Sequence, residues 1–294
     1  MSDNAKAKDV VASGSSDAED TLELDAMFQE PKSYYQPAPE AKVVEFERQS
    51  EYVVVDQGEE EEVRKVQLSL LGTHPLWGHY LWNAAKTFAN YLDSHKDIVR
   101  EKSVLELGAA GALPSLISSI NGATRVVITD YPDPDLIDNI RKTVALNMPQ
   151  KLEDGSVVVD GFKWGHDIDR ISKLSPDECG SFDVLILCDL VFNHSEHDGL
   201  LRSVSQLMKK PGSDGKKGFS STGGEAYVFF THHRPWLADK DMQFIERARE
   251  ELGLEVTRVV EEYTGVMFEE DPGDERVRGT VHGFRLAYPA AAKS

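Results

Sequence analysis

The chain has 294 residues, 40% of them hydrophobic, and a formal charge of −19 at pH 7, which is the composition of a globular protein with one main core. Its longest apolar runs fall well short of the roughly 18 residues of a membrane span, and its N-terminus lacks the charged start, apolar centre and cleavage site of a signal peptide, so a cytosolic protein is expected. The first 62 residues hold 17 acidic and 5 basic residues, which argues against nucleic acid, whose phosphates need basic residues to displace counterions, and would attract a basic partner.

Residues 1–38 are rich in Ser, Asp, Ala, Glu and Pro without a sustained period of 2 or 3.6, and read as a disordered acidic segment. Residues 39–75 read as an N-terminal extension in which "VVEFERQ" and "VRKVQLSLLG" form a hairpin flanking the core. In "HYLWNAAKTFANYLDSH" the residues Leu81, Trp82, Ala85, Phe88, Ala89 and Leu92 share one helical face, predicting a helix packed on a sheet. Strand and helix then alternate: "SVLELG" and 112–121, "RVVITD" and 133–147, "SVVVDGFKW" and an irregular stretch, "FDVLILCD" and 195–210. A Gly/Ser/Lys loop at 211–224 leads to "AYVFFTH", a helix at 239–252, and two strands near 254–263 and 278–288 with no helix between them. Such alternation predicts an α/β, doubly wound, Rossmann-like sheet. It should be mostly parallel, with the last two strands pairing antiparallel at one end.

Ligands of doubly wound sheets sit beyond the carboxyl ends of the strands, where strand order reverses. The first strand-to-helix turn there is Gly108-Ala109-Ala110-Gly111, and Asp130 follows Gly108 by 22 residues at the end of the next strand. Small residues let a ligand approach the backbone, the helix start presents free N–H groups, and Asp130 is placed to accept from a ribose diol. A dinucleotide fingerprint needs glycine where Ala110 and Leu113 stand, so NAD is disfavoured.

With Glu106 in the strand, the "ELGAAG" stretch resembles motif I of the class I S-adenosylmethionine-dependent methyltransferases, whose usual G-x-G-x-G would place glycine at 110 and 112, where alanines stand here. "LWNAA", "VVITDYPDPDL", "FKWG" and "LCDLVFNHSEH" follow the order found in the nicotinamide N-methyltransferase-like protein methyltransferases. Within that group "LWGHYLWNA", "DYPDPDL" and "DLVFNHSEH" resemble the fungal enzymes acting on the N-terminal glycine and adjacent lysine of translation elongation factor 1-alpha. The resemblance implies a methyltransferase domain over about 76–290 that uses S-adenosylmethionine, with a basic protein segment as substrate. By the same resemblance Trp82 lines the cofactor pocket, Gly108, Ala109 and Ala110 lie under the methionine moiety, and Glu106 positions its amino group. Asp130 then binds the ribose, Trp164 packs on adenine, Cys188 forms pocket wall, and Asp189 orients the target amine. The family's D-x-x-Y signature reads here Asp189-Leu190-Val191-Phe192; Phe192 lacks the tyrosine hydroxyl, leaving shape and cation–π contact as its uses.

Each residue also has a plainer reading. Trp82 on an apolar helical face and Trp164 at a strand end could be core, Gly108 could serve only a tight turn, and Asp130 could cap the next helix. His232 and His233 are adjacent on a strand and so point to opposite faces, poor joint metal ligands. No metal is expected. His233, Arg234 and Trp236 are candidates for the substrate cleft. Methylation of a nicotinamide-type small molecule and a non-catalytic binding module are the competing functions.

Overall fold

The computed structural model describes residues 39–49, 51–53, 63–176, 179–212 and 223–289. The acidic segment read at 1–38 lies outside them, as does most of the loop read at 211–224. The fold is that of the unit Glu40–Ser294.

Strands β1 (Lys42–Glu47) and β2 (Lys65–Leu70) pair antiparallel as the expected hairpin. Then come α1 (Asn83–Ser94), β3 (Ser103–Leu107), α2 (Leu113–Ile120), β4 (Arg125–Asp130), α3 (Pro134–Asn147), α4 (Pro149–Glu153) and β5 (Val157–Gly161). The second half holds α5 (Ile168–Ser172), β6 (Val184–Cys188), α6 (His197–Leu207), β7 (Glu225–Thr231), α7 (Ala238–Leu252), β8 (Glu255–Tyr263), α8 (Glu275–Gly279) and β9 (Thr280–Ala287). The main sheet runs β5-β4-β3-β6-β7-β9-β8. β3 to β7 are joined in parallel, whereas β9 is antiparallel to both β7 and β8.

Strand order reverses between β3 and β6, so their carboxyl ends flank the crevice where such sheets bind ligands. β3 and β6 are buried along their whole length because helices cover both faces, which is why they read as unbroken apolar runs. Alternation divides their side chains between two cores. Val104 packs with Phe88, Leu116 and Ile140 from α1, α2 and α3. Leu105 and Leu107 pack with Ile171, Val204 and Phe244 from α5, α6 and α7.

The hairpin is fastened by polar side chains at helical spacing on α3. Asn147 Oδ1 accepts from Gln67 N–H at 2.8 Å and its Nδ2 donates to Gln67 O at 2.6 Å. Thr143 Oγ1 accepts from Ser69 N–H, and Asn139 Nδ2 donates to Ser69 O. These bonds satisfy the edge of β2 that faces away from β1, the edge that otherwise invites another strand.

Helix α4 has no counterpart among the expected elements, and three others differ from them. Helix α1 begins at Asn83, and Trp82 is extended at its N-cap (φ −66°, ψ 143°), so Trp82 does not continue the apolar helical stripe. The stretch after β5 read as irregular contains α5, and the link between the last two strands contains α8. Both are single five-residue helices, below the length at which periodicity can be read. Helix α8 is also far too short to carry a parallel crossover, so its strands still meet antiparallel.

Candidate active site

A cavity opens at the carboxyl ends of β3, β4, β5 and β6, and eight of the ten residues singled out for a site line it: Trp82, Gly108, Ala110, Asp130, Trp164, Cys188, Asp189 and Phe192. Glu106 and Ala109 do not. Ala109 donates its N–H to Thr129 O and is buried in the turn. Glu106 lies behind the turn, 1% exposed, where its Oε2 accepts from Ser115 N–H at 3.1 Å. Burial raises its pKa to about 8, against the pull of the Ser115 hydrogen bond.

The turn after β3 owes its shape to three left-handed residues: Gly108 (φ 62°), Ala110 (φ 46°) and Ala112 (φ 60°). These are the three positions at which the G-x-G-x-G motif carries glycine. The two alanines hold the same backbone path with a methyl group added, at a cost of about 1–2 kcal/mol each. At Gly108 an added Cβ would stand 2.6 Å from Leu190 Cδ2 and 3.1 Å from the Trp164 ring, so either side chain would have to shift to admit it. Gly108 therefore serves both the left-handed turn and the close packing of Leu190 and Trp164 over it.

Asp130 ends β4 with Oδ2 accepting from Ala110 N–H at 2.8 Å and Oδ1 from Tyr131 N–H at 2.7 Å. Burial pushes its pKa up and the two N–H donors restrain the rise. It is not the cap of the next helix: Asp133 is, accepting from Asp135 N–H at 2.9 Å. Cys188 is buried, and burial, reinforced by the Glu106 and Asp189 carboxylates, lifts its thiol pKa well above the usual range. A thiol so protonated is no nucleophile.

Asp189 follows β6 in a left-handed conformation (φ 54°), a conformation that persists in a non-glycine residue only where the surroundings over-determine it. Its Oδ1 accepts from Thr231 N–H and from His233 Nε2, both at 3.1 Å. Its Oδ2 is buried with no hydrogen-bond partner. Burial by itself would lower the His233 pKa, but the Asp189 carboxylate, with Asp241 and Asp271 farther off, outweighs it and the net shift is upward. One carboxylate oxygen is thus held by two donors, while the other is buried without a partner, which is costly.

Aromatic rings surround this point. The Trp82 ring meets His233 edge-on at 5.1 Å and Trp77 meets Phe192 at 5.4 Å. Phe268, from the segment between β8 and α8, packs on Tyr80 at 5.0 Å and Trp82 at 6.1 Å. Arg278 holds that segment by donating to Phe268 O at 2.8 Å. Leu76, Trp77, Tyr131 and Trp236 remain exposed, and all but Trp236 line the cavity. Of the cleft candidates, His233 reaches Asp189, Arg234 donates to Phe192 O at 3.1 Å, and Trp236 stays on the surface.

The sequence reading missed Trp77, Tyr131, Lys163, Asn193 and Glu196 on the cavity wall. Four of them directly adjoin motif residues or lie within a quoted motif, so adjacency to "TDYPD", "FKWG" and "FNHSE" was the available signal. Trp77 had the same kind of signal, since it lies within the quoted "LWGHYLWNA". Among the described residues no group of His, Cys, Asp and Glu is placed to hold a metal ion, and no helix is long and apolar enough to cross a membrane.

Residues 72–214 match the family model described as lysine methyltransferase. The protein N-terminal and lysine N-methyltransferase of Schizosaccharomyces pombe is 41% identical, with 92% of this chain and 98% of that protein covered. That of Cryptococcus neoformans is 40% identical over 94% of this chain and 92% of its own. Among solved structures, a methyltransferase complexed with SAH superposes with a TM-score of 0.51 at 11% identity, covering 76% of this chain and 53% of that one. The last likeness is one of fold alone. The relatives' identity across nearly their whole length shows that the chain belongs to the family of protein N-terminal and lysine N-methyltransferases, enzymes that use S-adenosylmethionine.

Proposed function

We propose that this chain transfers methyl groups to the N-terminal glycine amine, the adjacent lysine, or both, of translation elongation factor 1-alpha, in the cytoplasm. The observation that carries the reading is the unpaired, buried Oδ2 of Asp189 in a cavity whose opposite side is built by the Gly108 turn and Asp130.

The donor side fits S-adenosylmethionine. Asp130 keeps lone pairs free for a diol after accepting its two backbone N–H groups. Gly108 lines the cavity, where the lack of a side chain lets the donor approach the backbone. Trp164 and Phe162 offer apolar surface for an adenine ring, and Trp82 and Cys188 close the wall near Asp189. Glu106 stands behind the turn, mostly protonated at pH 7 with its pKa raised to about 8, and braces the start of α2 by accepting from Ser115 N–H. When bound, the cofactor supplies an already activated methyl group on a positively charged sulfur.

The work left to the protein is alignment and control of a proton. A lysine amine, near 10.4 when free, holds its proton more firmly than an α-amine near 7.7–8.0, and desolvation in the cavity lowers either. Asp189 Oδ2 accepts a hydrogen bond from the amine and fixes the direction of its lone pair. His233 and Thr231, bonded to Oδ1, keep that oxygen from competing. Phe192 and Trp82 shape an apolar collar in which the amine turns between successive transfers.

A polypeptide acceptor suits the exposed rim of Leu76, Trp77, Tyr131 and Trp236 better than a single-ring molecule does. The exposed carboxylates Glu269, Glu270 and Asp271 follow Phe268 on the segment that packs on Trp82, and would attract a lysine-containing segment. Incubation with labelled S-adenosylmethionine and unmethylated elongation factor 1-alpha is expected to label its N-terminal peptide. A factor left unlabelled there overturns the substrate assignment.

A further inference from the structure

Asp241 lies on α7 and is 3% exposed. Its Oδ1 bonds His194 Nε2 at 2.7 Å and its Oδ2 bonds His232 Nδ1 at 2.7 Å. His194 opens a 3-10 turn directly after Phe192 and Asn193. His232 follows β7 and precedes His233, whose ring bonds Asp189. One carboxylate outside the cavity therefore bridges the two turns from which the acceptor side of the cavity is made.

The sheet does not hold those turns together. β6 and β7 stay in register only as far as Cys188 and Phe229, and Asp189 N–H donating to Phe229 O closes the ladder. Beyond that point the turns are linked through side chains: Thr231 N–H to Asp189, Arg234 to Phe192 O, and the two bonds of Asp241. Apolar residues of similar volume would join two turns at least as stably as a buried charge does. A carboxylate with two directed bonds fixes their angle and spacing, which apolar contact does not.

We propose that Asp241 is a positioning residue for methyl transfer, setting through His194 and His232 the geometry in which Asp189 and Phe192 meet the acceptor amine. The proposal rests on the reading of Asp189 as the acceptor-side carboxylate. In the full chain, Asp241→Ala should lower kcat by about tenfold or more while the dissociation constant for S-adenosylmethionine stays within about twofold, because misplacing the reacting groups costs rate rather than donor binding. Amide exchange should quicken at 189–196 and 231–234 and stay slow at 108–113. Asp241→Asn should recover most of kcat, since its amide oxygen accepts from one imidazole while its N–H donates to the other ring's alternative tautomer. If Asp241→Ala does not fold, His194→Gln, at a ring 23% exposed, tests the same bridge with the same signs.

Equal losses in kcat and donor affinity, no recovery in the Asn variant, or unchanged exchange in the two turns would overturn the proposal. A wild-type enzyme that leaves the elongation factor unlabelled defeats only the substrate assignment. The exchange measurement needs no acceptor and decides the positioning role by itself.

Discussion

The two sides of the cavity are built by different means. On the side proposed to hold the donor, one turn of main chain does most of the work: Gly108, Ala110 and Ala112 take left-handed conformations within five residues, and Asp130 braces the turn through Ala110 N–H. On the acceptor side the working groups come from separate elements and are joined by side chains: Asp189 after β6, His233 after β7, Asp241 on α7. A site made from local backbone is tied to a short sequence stretch, whereas a site made from a side-chain network is tied to the way distant elements pack. Damage to the first should appear in donor binding, and damage to the second in turnover.

The largest effect expected of that division comes from Asp189→Asn. The amide oxygen can still accept from Thr231 N–H and His233, but the unpaired acceptor becomes an N–H donor facing an amine. Turnover should fall about 100-fold or more, with S-adenosylmethionine affinity nearly unchanged. Single-turnover kinetics and calorimetry on one preparation check both halves, and a comparable loss of donor affinity would erase the distinction between the two sides.

Asp130→Ala is the mirror experiment. It removes the proposed diol acceptor and leaves Ala110 N–H and Tyr131 N–H unbraced, so donor affinity should fall by at least about tenfold, a loss of about 1.4 kcal/mol or more. Calorimetry reads it directly, and unchanged affinity would refute the ribose role.

Glu106 sharpens the comparison through pH. Its pKa is about 8 in the fold against 4.5 for the exposed group, so between those values the native state holds a proton that the unfolded state has released. Stability of the donor-free protein should therefore decline as pH rises through that window, by up to about 1.4 kcal/mol per pH unit from this group, and become level with respect to it above about 8. Glu106→Gln should flatten that part of the profile in denaturant titrations. A slope that survives the substitution would place the proton elsewhere.

The smallest effect is expected from Ala110→Gly and Ala112→Gly. Relief of left-handed strain, about 1–2 kcal/mol, is offset by the greater freedom of glycine in the unfolded chain, about 0.4–1 kcal/mol. Each variant should be neutral to about 1.6 kcal/mol more stable in thermal melts. A clear destabilisation would mean that the methyl groups pack against something the turn needs.

Much of the donor side was legible in advance because its determinants are adjacent in sequence. Small residues between an apolar run and a helix, with an aspartate one strand later, already describe the Gly108 turn and Asp130. The pattern could not show that Glu106 stands behind the turn, since alternation along β3 gives a face but not what covers it. Periodicity placed Trp82 on the helix; the chain enters α1 only at Asn83, and that one-residue boundary turns the ring from the helical stripe to the cavity wall. His232 and His233 were read as strand neighbours, whereas β7 ends at Thr231 and both follow it. Their separate carboxylate partners, Asp241 and Asp189, were not readable from a dipeptide.

By itself the sequence determined the alternation of strand and helix, the hairpin, the small-residue turn after β3, and the order of the motifs. These follow from local periodicity and from conformational preferences that act over a few residues. Only the tertiary structure decided that β9 lies between β7 and β8, that one oxygen of Asp189 is left unpaired, and that Asp241 ties two distant turns together. Those features depend on burial and on hydrogen bonds between residues more than forty positions apart in several cases, and no local preference in the chain encodes which distant donor will reach which acceptor.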